Sequence, residues 1–257
     1  MLVILSPSKT VNFKRPKHLV EVSRPQLLDK SSALATRLNS LSTALPQVLN
    51  VSDKLAEENR KRFSEWTDNP ETIQPAAWVY RGETYAGLSI NELDPEMLSF
   101  AQNHILIVSG LYGLLRPQDN IMPYRLEMST KLSGPWGNNL YDFWGTTLAD
   151  HISAQNPKLI LNCASAEYSK AIIKHLPTTI PIVTPKFLHE GKSKMAFAKF
   201  SRGLMARWVA ETRPSTRDEL KKFNYERYRY NENLSEPNKP VFIVPRGFSL
   251  KGRWTKL

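Results

Sequence analysis

Short apolar runs separated by helix-sized segments constrain the fold of this chain more than any other feature. Each run is only as long as one buried strand, and the runs are 2–5, 105–108, 159–161 and 180–183. Between them, apolar residues recur at helical spacing, as in 25–49 and 138–155. Buried strands that alternate with helices predict an α/β fold, in which helices flank a central, mostly buried sheet.

Capping residues and local patterns predict individual elements. Ser52 and Asp94 are expected to cap helix N-termini, and Asp94 precedes a proline at the first helical position. Residues 138–155 are predicted to form one amphipathic helix, 76–80 and 195–200 strands, and 202–212 a helix.

The last third of the chain differs from the rest in pattern. Tyr225, Tyr228 and Tyr230, followed by the apolar run 241–244, predict a β-rich C-terminal annex. No Gly/Ser-rich linker separates the annex from the preceding residues. We therefore expect one compact mixed α/β (α+β) domain over 1–257.

Length and cysteine content exclude several classes of protein. A chain of 257 residues can bury a core without disulfides, and its single cysteine, Cys163, excludes an internal disulfide framework. No apolar run approaches the roughly 20 residues of a membrane span. The N-terminus also lacks the basic region of a signal peptide. We expect a cytoplasmic protein with no membrane partner.

The positive charge is concentrated at the two ends of the chain. The net charge is +11, of which 1–30 carry +4 and 201–257 carry +7, while the middle is neutral. If the ends meet in the fold, they form one face that attracts polyanions. The alternative is that the charge serves only solubility.

Common catalytic and cofactor motifs are absent. The chain has neither a Gly-x-Gly-x-x-Gly nor a Walker A loop, no His-Glu-x-x-His pair and no Gly-x-Ser-x-Gly elbow. Its five histidines are scattered along the sequence. We predict no cofactor and no metal site.

The densest polar segment follows the apolar run 105–108 and covers 109–119 and 123–128. Arg116 and Arg125 have forked donors suited to phosphate. Alternatively, Arg116 with Asp119 and Arg125 with Glu127 form ion pairs that brace a long loop.

Several motifs, in one order, resemble the YaaA family, also called DUF328 or UPF0246. They are LSPSKT at 5–10, SDKLA at 52–56, YAGL at 85–88, SGLYGLLRP at 109–117, PYRLEM at 123–128, LYDFWG at 140–145, NCASAEY at 162–168 and AKFSRGLMAR at 198–207. The resemblance covers nearly the whole chain. It implies a role in the response to peroxide through limiting free intracellular iron. It also implies a DNA-binding protein with a distinct fold, a positively charged cleft and a helix-hairpin-helix-like element, which we assign to no residues.

The first functional hypothesis is a protein that binds duplex or distorted DNA in a basic cleft. Such contacts are electrostatic and carry little sequence preference. The candidate phosphate ligands are Lys9, Lys14, Arg15, Lys199, Arg202 and Arg207, with Arg116 and Arg125 deeper in the cleft.

The second hypothesis is an enzyme of unassigned class that acts on a nucleic acid or a nucleotide-like anion. It requires its polar residues to meet within hydrogen-bond reach of one substrate. They are Lys9, Ser109, Arg116, Asp119, Tyr124, Arg125, Glu127, Asn162, Ser165 and Tyr168. Direct iron sequestration is less favoured because no clustered ligand set is visible. Cys163, which has no second cysteine to resolve it, is expected to be a buried apolar residue.

Overall fold

The computed structural model of the protein describes residues 1–13, 21–72 and 74–250. Within these residues the chain forms a mixed α/β fold with a five-stranded sheet and a three-stranded sheet. The predicted fold class is therefore confirmed.

The five-stranded sheet has the order β3-β2-β1-β4-β5. Its strands are β1 (Leu2–Leu5), β2 (Ile105–Ser109), β3 (Gly113–Leu115), β4 (Ile160–Asn162) and β5 (Ile182–Val183). The central strand β1 runs parallel to β2 and β4, so that Val3 lies opposite both Ile105 and Leu161. Every residue of β1, β2 and β4 is buried. Burial on both faces explains why these strands are continuous apolar runs rather than alternating ones.

Eleven α-helices lie in the described part of the chain. They are α1 (Leu28–Ser40), α2 (Leu45–Leu49), α3 (Asp53–Ser64), α4 (Ala76–Val79), α5 (Glu83–Leu88), α6 (Pro95–His104), α7 (Leu140–Trp144), α8 (Thr147–Ser153), α9 (Ala166–Ile173), α10 (Met195–Thr212) and α11 (Arg217–Leu220). Short 3-10 helices cover Ser42–Ala44, Ile90–Glu92, Tyr225–Arg227 and Glu232–Leu234. None of the helices in the described ranges combines the length and the apolar character needed to cross a membrane.

A second sheet with the order β6-β8-β7 forms the β-rich annex. Its strands are β6 (Lys186–His189), β7 (Arg229–Tyr230) and β8 (Val241–Val244). The annex thus contains an earlier strand, β6, that the sequence pattern did not predict. Phe187 and Phe242 of this sheet belong to the same buried apolar cluster as β1.

Two predicted strands are helical. Residues 76–80 contain α4, which follows Pro75. All four residues of α4 are buried, so the sequence has no alternation of polar and apolar residues that would distinguish a helix from a strand. Residues 195–200 form the first turns of α10, which continues without interruption to Thr212. A six-residue segment is too short for its pattern to decide between the two structures.

The predicted helix over 138–155 is two helices. Gly145 lies between α7 and α8 with a φ of +49°, a left-handed conformation that ends α7. Residues 113–115, expected in a polar loop, instead form β3, which turns back antiparallel to β2.

Both predicted caps occupy the N-cap position of a helix. Asp94 accepts a hydrogen bond from the Met97 amide at 2.8 Å, as expected for a capping carboxylate. The side chain of Ser52 makes no capping hydrogen bond to α3. The boundary prediction is thus confirmed at both sites, and the capping interaction only at Asp94.

The helices α5 and α10 cross with their backbones in direct contact. A Cβ atom on Gly87 of α5 would overlap the carbonyl oxygen of Phe200, and one on Gly203 of α10 would overlap that of Thr84. Only glycine permits so close an approach. This contact fixes α10 beside the start of α5, close to the segment that follows β1.

We expect Gly203→Ala to destabilise the protein by about 2–3 kcal/mol, because the added methyl group forces the two helices apart. In an isolated helix the same change is stabilising by up to about 1 kcal/mol, so the sign of the effect identifies the helix contact. Urea denaturation measures it, with Glu211→Ala on the exposed side of α10 as the control, expected within about 0.5 kcal/mol of the parent. An unchanged or increased stability of Gly203→Ala would contradict the close packing.

Candidate functional site

The segments that follow β1 and β4 meet at one edge of the central sheet. These strands are adjacent and parallel, and the chain leaves β1 toward β2 on one side and β4 toward β5 on the other. Connections that diverge in this way leave a crevice at the carboxyl ends of the strands, where α/β proteins commonly bind ligands.

A cleft of about 330 Å³ occupies this position. Four segments line it, namely 6–10 after β1, 81–84 at the start of α5, 163–168 after β4, and Lys199 with Arg202 on α10. The cleft therefore joins residues near the N-terminus with Lys199 and Arg202 of α10. We call it the switch-point cleft.

Hydrogen bonds between these segments hold the walls of the switch-point cleft. The Ser165 amide donates to Ser6 Oγ at 2.8 Å and links the loops after β4 and β1. The Tyr85 hydroxyl donates to the Ser6 carbonyl at 3.0 Å, and the Arg81 amide donates to the Thr10 carbonyl at 2.9 Å. The site is thus preformed by contacts among its own loops.

Three cations of the cleft, Lys199, Arg202 and Arg81, make no ion pair with any described residue. Lys199 is exposed and Arg202 is half-buried, both on the face of α10 turned to the cleft. A half-buried guanidinium without a carboxylate partner has donors available for an external anion. The third cation, Arg81, donates to the Trp78 carbonyl at 2.7 Å. Burial lowers its pKa from the ordinary value, although an arginine remains charged at neutral pH.

Lys9 belongs to a small charged cluster beside the cleft. Its Nζ lies 2.7 Å from Glu127 Oε2, and Arg125 Nη2 lies 3.3 Å from Glu127 Oε1. The predicted ion pair of Arg125 and Glu127 is therefore present, with Lys9 as an additional partner. Lys9 is mostly exposed, at 62%, and remains within reach of an anion in the cleft.

Buried tyrosines lie behind this cluster. The hydroxyls of Tyr80 and Tyr124 are 2.6 Å apart, and Tyr124 is 2.6 Å from Ser109 Oγ. Burial raises the pKa of Tyr124, and burial and then the carboxylate of Glu167 raise the pKa of Tyr168, so both hydroxyls remain protonated at neutral pH. They provide neutral hydrogen-bond groups.

Arg116 and Asp119 brace a loop away from the switch-point cleft. Asp119 is fully buried and accepts from the Arg116 amide at 2.8 Å, from Arg116 Nη2 at 2.9 Å and from Ser23 Oγ at 2.6 Å. Neither residue lines the cleft. Arg116 and Asp119 therefore form the ion pair that was the alternative to phosphate binding by Arg116.

One further described candidate also lies outside the cleft. Arg207 is on α10 but pairs with Glu92. Lys14 and Arg15 fall outside the described residues.

Asn162 lies at the carboxyl end of β4, opposite Ile4 of β1. It is buried, accepts from the Ala164 amide at 3.1 Å and donates to Thr184 Oγ1 at 3.2 Å. Its amide groups thus shape the turn after β4. In the structure Lys9 and Arg125 both contact Glu127, and Asn162 lies at the same edge of the sheet as Lys9.

Sequence patterns did not identify the 81–84 segment as part of the site. Arg81, Glu83 and Thr84 line the cleft, yet they belong to no motif that indicates chemistry by itself. The sequence signal in this segment is Gly82, which indicates a turn, and the structure gives it a φ of +103°. Within the described ranges, no three His, Cys, Asp or Glu side chains are placed to hold one metal ion.

Known proteins are similar to this chain over almost its whole length. A family model described as peroxide stress protein YaaA matches residues 1–234. A UPF0246 protein of Shewanella sp. strain ANA-3 is 41% identical over 254 residues, covering 95% of this chain and 98% of the relative. A UPF0246 protein of Shewanella amazonensis is 39% identical over 253 residues, with the same coverage.

We expect Cys163 to be unreactive in the folded protein. Burial raises the pKa of its thiol to about 12, against a smaller opposing effect of the Arg202 charge, so the thiol is protonated at pH 8. Iodoacetamide at pH 8 should therefore label folded protein at least about 100-fold more slowly than protein in urea. Mass spectrometry measures both rates. Equal rates in the two conditions would contradict the buried, neutral thiol.

Proposed function

The chain belongs to the YaaA (UPF0246) family of peroxide stress proteins, and on that basis we propose that it acts in the peroxide response by binding DNA non-specifically through the switch-point cleft. Limiting free intracellular iron is part of the same proposal at the level of the cell, because the family resemblance implies it. No residue is assigned to that effect.

The observation that carries the proposal is the pair of cations on α10. Lys199 and Arg202 make no ion pair with a described residue and lie in one cleft with Lys9 and Arg81. Two other candidate arginines are neutralised, Arg116 by Asp119 and Arg207 by Glu92. Unpaired cations at a preformed cleft are suited to phosphate groups.

The cations and the neutral hydroxyls explain why binding would be independent of sequence. Phosphate contacts position a nucleic acid but do not read its bases. Affinity should depend on salt rather than on base sequence.

We expect the double variant Lys199→Ala/Arg202→Ala to bind duplex DNA about tenfold more weakly, because it loses two charge-assisted phosphate contacts. The slope of log affinity against log salt should fall by about 2. Fluorescence anisotropy over a salt series measures both quantities.

The matched control is Lys174→Ala/Lys222→Ala, which removes the same charge at exposed positions away from the cleft. It should leave affinity nearly unchanged. Equal weakening by the two double variants would assign binding to net charge alone. Affinity that stays flat as salt rises fourfold would reject DNA binding by phosphate contacts.

A second candidate function is catalysis on a nucleic acid or nucleotide-like anion. The favouring observation is the contact of Glu127 with Lys9 and Arg125 beside the cleft, a carboxylate and an anion clamp within one hydrogen-bond network. End-labelled DNA incubated with the protein should then yield a product on a denaturing gel that Glu127→Gln fails to form. Intact DNA after prolonged incubation would reject this candidate.

A further inference from the structure

We propose that the switch-point cleft holds a single nucleotide of DNA with its terminal phosphate, as found at a gap or a strand end, rather than a stretch of continuous duplex. The inference rests on the proposed function, that DNA binds at this cleft. It adds the class of DNA that the cleft selects.

The size of the cleft supports one nucleotide. Its volume of about 330 Å³ is at the lower end of the range for pockets that enclose a small molecule. A nucleotide that is unpaired or at the end of a strand can leave the stack and enter such a pocket at low energetic cost.

The charge of the lining supports one terminal phosphate. Among the described lining residues there are four basic side chains, Lys9, Arg81, Lys199 and Arg202, and two carboxylates, Glu83 and Glu167, for a net charge of +2. A phosphomonoester carries a charge of about −1.5 to −2 at neutral pH. The cleft thus matches one terminal phosphate, and its two carboxylates repel the additional phosphates of a strand passing through it.

The uncharged part of the lining is suited to the rest of the nucleotide. The hydroxyl-bearing residues Ser8, Thr10 and Tyr168 line the cleft, and the Tyr168 hydroxyl is protonated at neutral pH. Such groups can donate to and accept from a sugar or a base edge without requiring a particular base. The Glu167 carboxylate is held in place by the Ser129 amide at 3.1 Å and the Ser129 hydroxyl at 2.9 Å.

The test compares three DNAs of equal length by fluorescence anisotropy at one salt concentration. The first is a dumbbell duplex closed by loops at both ends and sealed, so that it has no strand end. The second carries a one-nucleotide gap with a 5′-phosphate, and the third has the same gap without that phosphate. We expect the phosphorylated gap to bind about tenfold more tightly than either of the others, and a free deoxynucleoside monophosphate to reduce this difference.

A matched pair of variants locates the effect. Thr10→Trp places a large neutral side chain in the lining of the cleft, and should remove the preference for the phosphorylated gap, so that this DNA binds no more tightly than the sealed dumbbell. Thr178→Trp makes the same change at an exposed loop position away from the cleft and should alter neither affinity. Circular dichroism checks that both variants fold, and the comparison on the parent protein does not depend on them.

Each failure has a separate meaning. Equal, salt-sensitive affinities for all three DNAs would overturn the single-nucleotide inference and leave the proposed DNA binding intact. Tighter binding to both gaps regardless of phosphate would also overturn it, in favour of recognition of DNA flexibility. Binding of the free monophosphate with no binding to any DNA would overturn the proposed function itself.

Discussion

The close crossing of α5 and α10 is the contact on which the site depends. Gly87 and Gly203 let the two helix backbones touch, since a methyl group at either position would overlap a carbonyl oxygen of the other helix. The contact places Lys199 and Arg202 beside the segment that follows β1. Because α10 lies in the last third of the chain and β1 at its start, the crossing joins regions that are about 190 residues apart along the sequence.

The central sheet supplies the other half of the site. The neighbours β1 and β4 are parallel, and their connections diverge, so their polar loops open a crevice. Hydrogen bonds from Ser165 and Tyr85 to Ser6 hold the walls of that crevice together. A site of this kind loses little conformational entropy on binding, since its loops are already ordered by contacts with one another.

Ion pairing distinguishes the cations that have a structural role from those that are available to bind an anion. Arg116 is held by a buried Asp119, and removing either partner would leave an uncompensated charge in or near the core. Arg202, in contrast, is half-buried without a carboxylate partner among the described residues. The sequence does not distinguish the roles of Arg116 and Arg202, because both lie in motifs of the family. The partner, which is set by the fold, decides the role that each can have.

The sequence by itself determined the buried strands β1, β2 and β4, the Asp94 cap and the mixed α/β class, because these depend on local hydrophobic pattern and on side-chain groups within a few residues. It also directed attention to Lys9, Lys199 and Arg202 through motifs. It did not determine that 76–80 and 195–200 are helical, since short buried segments carry no distinguishing period. Only the tertiary structure decided that the 81–84 segment lines the site and which charges are paired. Those outcomes depend on contacts between distant parts of the chain, which no local pattern encodes.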